Sequence, residues 1–284
     1  MRTIRLAHSP DADDAFMFYA LAAGKIPTGD RRYQHELADI ETLNQRAFRG
    51  ELEVTAVSLH AYAYLAATYA LLPHGASMGD RYGPRLVARE PVPAAPRSAI
   101  QGMRIAIPGA LTTAALVLRL YQPDFEAVVV PFDRIEEAVI TGDVDAGVLI
   151  HEAQLTYAEG GLNLWVDMGE WWFAETGFPL PLGGNAVRRD LGAELINAIS
   201  RELRASIVYS LEHREEALTH AMQYARGLDR ATADRFVGMY VNDYTVDYGP
   251  TGRQAVHALL ERGGAAGIIP QRVPITFVDD TVGS

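Results

Sequence analysis

His151 closes the run Val144-Asp145-Ala146-Gly147-Val148-Leu149-Ile150-His151, in which the preceding residues are mostly apolar or small. Such a run reads as a buried parallel strand, and in open α/β sheets the carboxyl ends of strands face the ligand crevice. Histidine has an ordinary pKa of about 6.5, so a ring placed there is neutral at pH 7 and can take up a proton. The alternative for the same ring is a bond to a neighbouring carbonyl or carboxylate with no chemistry attached. Glu152 either orients the ring or opens the next helix.

Three other stretches put hydroxyls where a strand gives way to a helix. In His8-Ser9-Pro10-Asp11-Ala12-Asp13-Asp14, Ser9 offers a donor and Asp14 reads as the helix N-cap, with Asp11 and Asp13 stabilising the turn. Free N–H groups at a helix start favour an anion, whereas three carboxylates oppose one. The Asp-x-Asp-Asp spacing lacks the Gly and distal Glu of a calcium loop, so no metal site is expected. Ser58 follows Val54–Val57, and Thr112 and Thr113 follow Pro108-Gly109. Each of these hydroxyls either caps a helix or meets a ligand carboxylate. Their occurrence in both halves of the chain favours one shared cleft. The sequence has no Gly-x-Ser-x-Gly elbow, no Walker loop and no His-Glu-x-x-His helix.

Strand-like and helix-like segments alternate around these residues, the pattern of a mostly parallel α/β sheet. Strands are expected at Thr3–His8, Tyr33–Ile40, Glu53–Ser58, Tyr69–Pro73 and Arg85–Arg89. Glu90–Ser98 then carries three prolines, which mark a linker or crossing. Alternation restarts with strands at Met103–Ile107, Ala127–Phe132, Asp145–His151 and Leu164–Met168. Thr176–Gly184 is again rich in Pro and Gly, and from Ala193 to the mid-250s the spacing of apolar residues is helical. Val273–Val278 reads as a last strand. Two crossings imply a discontinuous larger α/β domain (1–92 and 180–284) and an inserted smaller one (93–179). That is a periplasmic-binding-protein-like architecture, with two α/β domains and a cleft between them. Trp165, Trp171, Trp172 and Phe173 are expected in the core, with one ring at most paving the cleft.

Composition narrows the partners. A net charge of −11 without a basic cluster disfavours nucleic acid and anionic membranes. The absence of cysteine excludes thiol nucleophiles, disulfides and thiolate metal sites. No apolar run has membrane-spanning length, and the first residues lead directly into a strand pattern rather than a secretory signal, so a cytoplasmic location is expected. Oligomeric state is not legible.

Several motifs together resemble the 1,4-dihydroxy-6-naphthoate synthase family of the futalosine route to menaquinone. They are Ser9-Pro10 with Asp14 and Phe16; Asp39-Ile40-Glu41-Thr42-Leu43-Asn44; Ser58 with Ala61-Tyr62; Pro108-Gly109 with Thr112-Thr113; Ile150-His151-Glu152 with Thr156-Tyr157; Thr176-Gly177 through Gly183; Arg188 through Gly192; and Tyr240-Val241-Asn242. The resemblance spans nearly the whole chain. It implies a cytoplasmic, cofactor-independent carbon–carbon lyase that converts cyclic dehypoxanthinyl futalosine to 1,4-dihydroxy-6-naphthoate. It places the general base at His151 and substrate-binding positions at Asn44, Ser58 and Thr112 or Thr113, with Asp14 lining the cleft; Ser9 joins them as the hydroxyl donor of the strand-to-helix turn. The partner implied is a small-molecule carboxylate. The chain departs from the better-known members' Cys-Pro-Asn-Asp, reading Asp11-Ala12-Asp13-Asp14. Two rivals remain: chorismate dehydratase of the same pathway, and a non-catalytic small-anion solute-binding protein.

Overall fold

A computed structural model describes residues 1–278. Eleven strands form two sheets: β1 Arg2–His8, β2 Arg31–Leu37, β3 Val54–Ser58, β4 Tyr69–Leu71, β5 Ser77–Gly79, β6 Arg85–Ala88, β7 Arg104–Ile107, β8 Glu126–Val129, β9 Ala146–Leu149, β10 Asn163–Asp167 and β11 Leu180–Arg188. The first sheet runs β2-β1-β3-β11-β4 with β5 on β11, and the second runs β10-β6-β9-β7-β8.

Each sheet has a parallel core of three strands, β2-β1-β3 in one and β8-β7-β9 in the other. The strands that join these cores from outside, β11 and β6, run antiparallel to them. The sheets are therefore mixed rather than mostly parallel. A parallel neighbour needs a crossover helix to bring the chain back, and a strand arriving from the other half needs none.

The expected boundary at residue 92 is corrected. β6 belongs to the second sheet, so sheet membership changes between Gly79 and Arg85. The proline-rich stretch lies inside the second unit, linking β6 to β7. The prolines break regular structure there without marking the crossing. At the true crossing the two connecting segments touch: the Met168 N–H donates to Pro84 O at 2.9 Å. A Cβ on Gly169 would lie 1.9 Å from Tyr82 O, so only glycine permits this approach.

The largest apolar cluster joins the two sheets, running from Val57, Leu59 and Tyr62 through Leu116 to Ile105 and Val148. The Leu59–Leu65 and Thr113–Tyr121 helices pack on each other within it. The long helices Ala193–Glu212, Arg230–Tyr240 and Gly249–Ala265 flank the first sheet. Val273–Val278 is not assigned as a strand; among the described residues its ladder contact is one parallel bridge between Phe277 and Leu71. Among the described residues, no helix is long and apolar enough to cross a membrane. Trp172 and Trp165 are core, their indole N–H groups donating to Pro179 O and Glu90 O. No tryptophan lines the cleft; Phe236 and Tyr240 do.

Candidate active site

The cleft holds a cavity of about 780 Å³, counted to its open mouth. One wall comes from the Ser9–Asp14 turn, Ser58 and β11, and the other from the start of the Thr113–Tyr121 helix and the His151 turn.

His151 lies two residues beyond β9, not within it, and its backbone is left-handed, with φ of 54°. Histidine is among the residues that tolerate this region, at a cost of about 1 kcal/mol or more. Gln154 holds the turn. With its amide oriented so that both ends are satisfied, its oxygen accepts from the His151 N–H at 3.2 Å and its nitrogen donates to Gly83 O at 2.7 Å. The imidazole is thereby turned across the cleft. Its Nδ1 lies 2.9 Å from Oδ2 of the buried Asp11. An ionised carboxylate only accepts, so Nδ1 carries the hydrogen and Nε2 keeps its lone pair. Phe132 packs against the ring at 4.8 Å, and the Arg226 guanidinium sits over Phe132 at 4.4 Å.

Burial pushes the imidazole's pKa down, but the charge and hydrogen bond of Asp11 outweigh it, and the net shift is upward from 6.5. The pairing with Asp11 thus moves the ring's titration upward from that of a free imidazole. Burial likewise pushes Asp11 up, yet His151 and its other hydrogen bonds hold it at about 2.

The turn also differs from expectation. Asp11 is the N-cap, accepting from the Asp14 N–H at 3.3 Å, whereas Asp14 accepts from the Ser9 N–H at 2.8 Å. Burial and the charge of Asp11 push Asp14 up to about 8, against the Ser9 hydrogen bond. Glu152 is buried beside His151, and burial raises its pKa.

Asn44 does not line the cavity. It lies behind Ser58, donating from Nδ2 to Ser58 Oγ at 3.1 Å and accepting the Ser58 N–H at 3.0 Å. Ser58 occupies an N-cap position, but its side chain makes no capping bond. Its hydroxyl therefore accepts from Asn44 and keeps its own proton for the cavity. Thr112 is the side-chain cap, accepting from the Ala115 N–H and donating to Gly109 O. Thr113 donates to Leu182 O of β11, tying the two halves together. Both hydroxyl protons are engaged. The segment instead offers backbone: among the described residues, the N–H groups of Thr113 and Ala114 have no protein acceptor.

Glu41 was not singled out individually from sequence. Its Oε2 accepts from the Leu111 N–H at 3.3 Å across the cleft. A Cβ on Gly109 would lie 2.4 Å from that oxygen and 2.8 Å from Glu41 Cβ. Gly109→Ala should therefore wedge the halves apart. Small-angle scattering should show a larger radius of gyration than the wild type, and superimposable profiles would refute the wedge. Nothing in the local spacing links Glu41 to residue 111, or Asp11 to residue 151.

Fold and site together define a two-domain α/β protein of the periplasmic-binding-protein type, with a carboxylate-paired histidine in its cleft. Over residues 4–265 the sequence matches the protein family described as menaquinone biosynthesis. A 1,4-dihydroxy-6-naphthoate synthase from Thermus thermophilus is 41% identical over 268 residues, covering 94% of this chain and 96% of the relative. The crystal structure of an Archaeoglobus fulgidus protein superposes with a TM-score of 0.89 at 50% identity, covering 94% of this chain and 98% of that one. A Candida albicans protein described as having the generic periplasmic binding protein fold superposes with a TM-score of 0.70 at 14% identity, over 96% and 92% of the two chains. That likeness concerns the fold alone. The chain belongs to the menaquinone biosynthesis family that includes 1,4-dihydroxy-6-naphthoate synthase.

Proposed function

We propose that this protein is a cytoplasmic lyase converting cyclic dehypoxanthinyl futalosine to 1,4-dihydroxy-6-naphthoate, with His151 as general base and no cofactor. The observation that carries this reading is the Asp11–His151 pair, which in the neutral ring puts the hydrogen on Nδ1 and leaves the Nε2 lone pair free in the cleft. The Thr113 and Ala114 N–H groups, at the positive end of a nine-residue helix, bind the substrate carboxylate together with the Ser58 hydroxyl. Asn44 and Thr112 position those donors rather than touch substrate, while Ser9 and Asp14 line the wall that carries Ser58. Closure excludes water. Nε2 takes a proton from the sugar-derived part of the substrate, the released electron pair breaks a carbon–carbon bond, and the remaining ring system aromatises.

The test is turnover of the purified protein with cyclic dehypoxanthinyl futalosine, read by mass spectrometry, with chorismate run in parallel. Formation of 1,4-dihydroxy-6-naphthoate is the expected result. Consumption of chorismate instead would move the protein to the dehydratase reaction. Tight binding of the substrate without turnover would make it a small-anion binding protein.

A further inference from the structure

We propose that Asp13 is a positioning residue for the base: its neutral carboxyl donates a proton to Asp11, and through Asp11 it holds Nδ1 of His151. This rests on the reading of His151 as the base. Asp13 lies in the first turn of the Ala12–Met17 helix, on the cavity wall, with 8% of its surface exposed. Its Oδ1 is sealed from solvent and receives no N–H or O–H. An ionised carboxylate in that condition either finds a donor or takes up a proton.

The surroundings supply no donor. Oxygens of Asp11, Asp13 and Asp14 lie within 4.8 Å of one another. Asp11 is engaged by the His151 ring and Asp14 by the Ser9 N–H. Asp14 and Asp11 on its own turn, Glu152 beside His151, and Tyr240 from the Arg230–Tyr240 helix all face Asp13, and none is a cation. Arg226 acts on His151 and Glu152. From the Arg214–Ala221 helix, Arg214 goes to the Phe16 ring, while Glu216 and His220 go to Tyr19. Two carboxyls this close share one proton rather than both ionising. The imidazole keeps Asp11 ionised, so the proton resides on Asp13. In line with this, burial and then the charges of Asp11 and Asp14 push Asp13 well above the usual carboxylate range. A divalent cation could also neutralise three carboxylates, but His151 and the Asp14 and Ser9 N–H groups already engage Asp11 and Asp14.

The proton stays on the Asp13–Asp11 pair while Nε2 exchanges protons with substrate. Asp11 thus accepts from three sides: the Asp14 N–H, His151 and Asp13. Its rotamer and the ring's tautomer are fixed together.

The test compares Asp13→Leu, which has no donor, with Asp13→Asn, whose amide N–H donates without titrating. Values of kcat and KM are measured from neutral to alkaline pH. Asp13→Leu should lose roughly 10- to 100-fold in kcat with KM little changed. Asp13→Asn, whose amide still donates, should recover about tenfold of that loss. An Asn variant as impaired as the Leu variant would overturn the proposal. If the Leu variant does not fold, the infrared comparison decides. Infrared difference spectra give a readout independent of turnover. A protonated-carboxyl band of the wild type that Asp13→Asn loses, beside any that Asp14 and Glu152 contribute, supports the proposal even if the substrate proves wrong, and identical carboxyl bands in the two proteins overturn it. Loss of wild-type activity to a chelator, restored by magnesium or manganese, would assign the cluster to a cation and overturn it as well.

Discussion

His151→Ala lowers kcat by roughly 10²–10⁴-fold, the usual contribution of a positioned general base, while the substrate still binds. Among the titratable side chains lining the cavity, His151 is the one imidazole, and its Nε2 lone pair is free when the ring is neutral. Asp11 is a buried, engaged carboxylate held at about 2, too weak a base to replace it. Binding survives because the proposed carboxylate contacts come from the Thr113–Tyr121 helix start and from Ser58, not from the ring. Alanine at a left-handed position adds strain of about 1–2 kcal/mol, which could be mistaken for a catalytic effect. His151→Asn is the control. Asparagine tolerates that backbone and keeps an N–H for Asp11, but supplies no base. Both variants should bind substrate in calorimetry and fail to turn it over. Wild-type kcat in either would remove His151 from the chemistry.

The parts of this site set by local pattern were legible in the sequence. A run of small and apolar residues ending in His151 places that ring at a strand's carboxyl end, and Thr112 caps a helix that opens onto the cleft, as strand-to-helix spacing suggests. Contacts made across the cleft were not. Asp11 and His151 come from opposite halves, and no periodicity carries that distance. Three aspartates in one turn all satisfy the N-cap pattern, so sequence favours Asp14 where the structure uses Asp11. Asn44 enters as a ligand contact only through the family resemblance, alongside the Ser58 hydroxyl. Only the fold shows it fully buried behind that hydroxyl. The crossing was misplaced for a related reason. Prolines announce where regular structure stops, whereas glycines that let two segments touch, as at Gly169, carry no local signature. The departure from Cys-Pro-Asn-Asp falls on Asp11, Ala12 and Asp13, and so includes the carboxylate that pairs with His151.

Asp11→Asn should cost nearly as much as removing the ring, roughly 10²–10⁴-fold in kcat, because it reverses the proton's place on the imidazole. The carboxylate forces the hydrogen onto Nδ1. An amide at the same place can instead donate to Nδ1, which moves the ring hydrogen to Nε2 and takes the lone pair away from the substrate. A pH signature separates this effect from simple misfolding. In the wild type, Asp11 raises the His151 pKa, so activity rises with pH through a midpoint above 6.5. Without that charge, burial dominates, and whatever activity remains should show its acid limb at lower pH. Stability moves in a linked way. The folded pKa of His151 lies above its unfolded value, so its contribution is complete below 6.5 and is lost as pH rises through the folded pKa. For Asp11, held at about 2 against 3.8, the contribution is present above 3.8 and lost as pH falls toward 2. The pair therefore stabilises most between about 4 and 6.5, and Asp14, pushed up to about 8, favours the acid end of that window. The wild-type minus Asp11→Asn difference in Tm should peak there. A flat difference across pH, together with an unmoved acid limb, would show that Asp11 neither pairs with His151 nor tunes it.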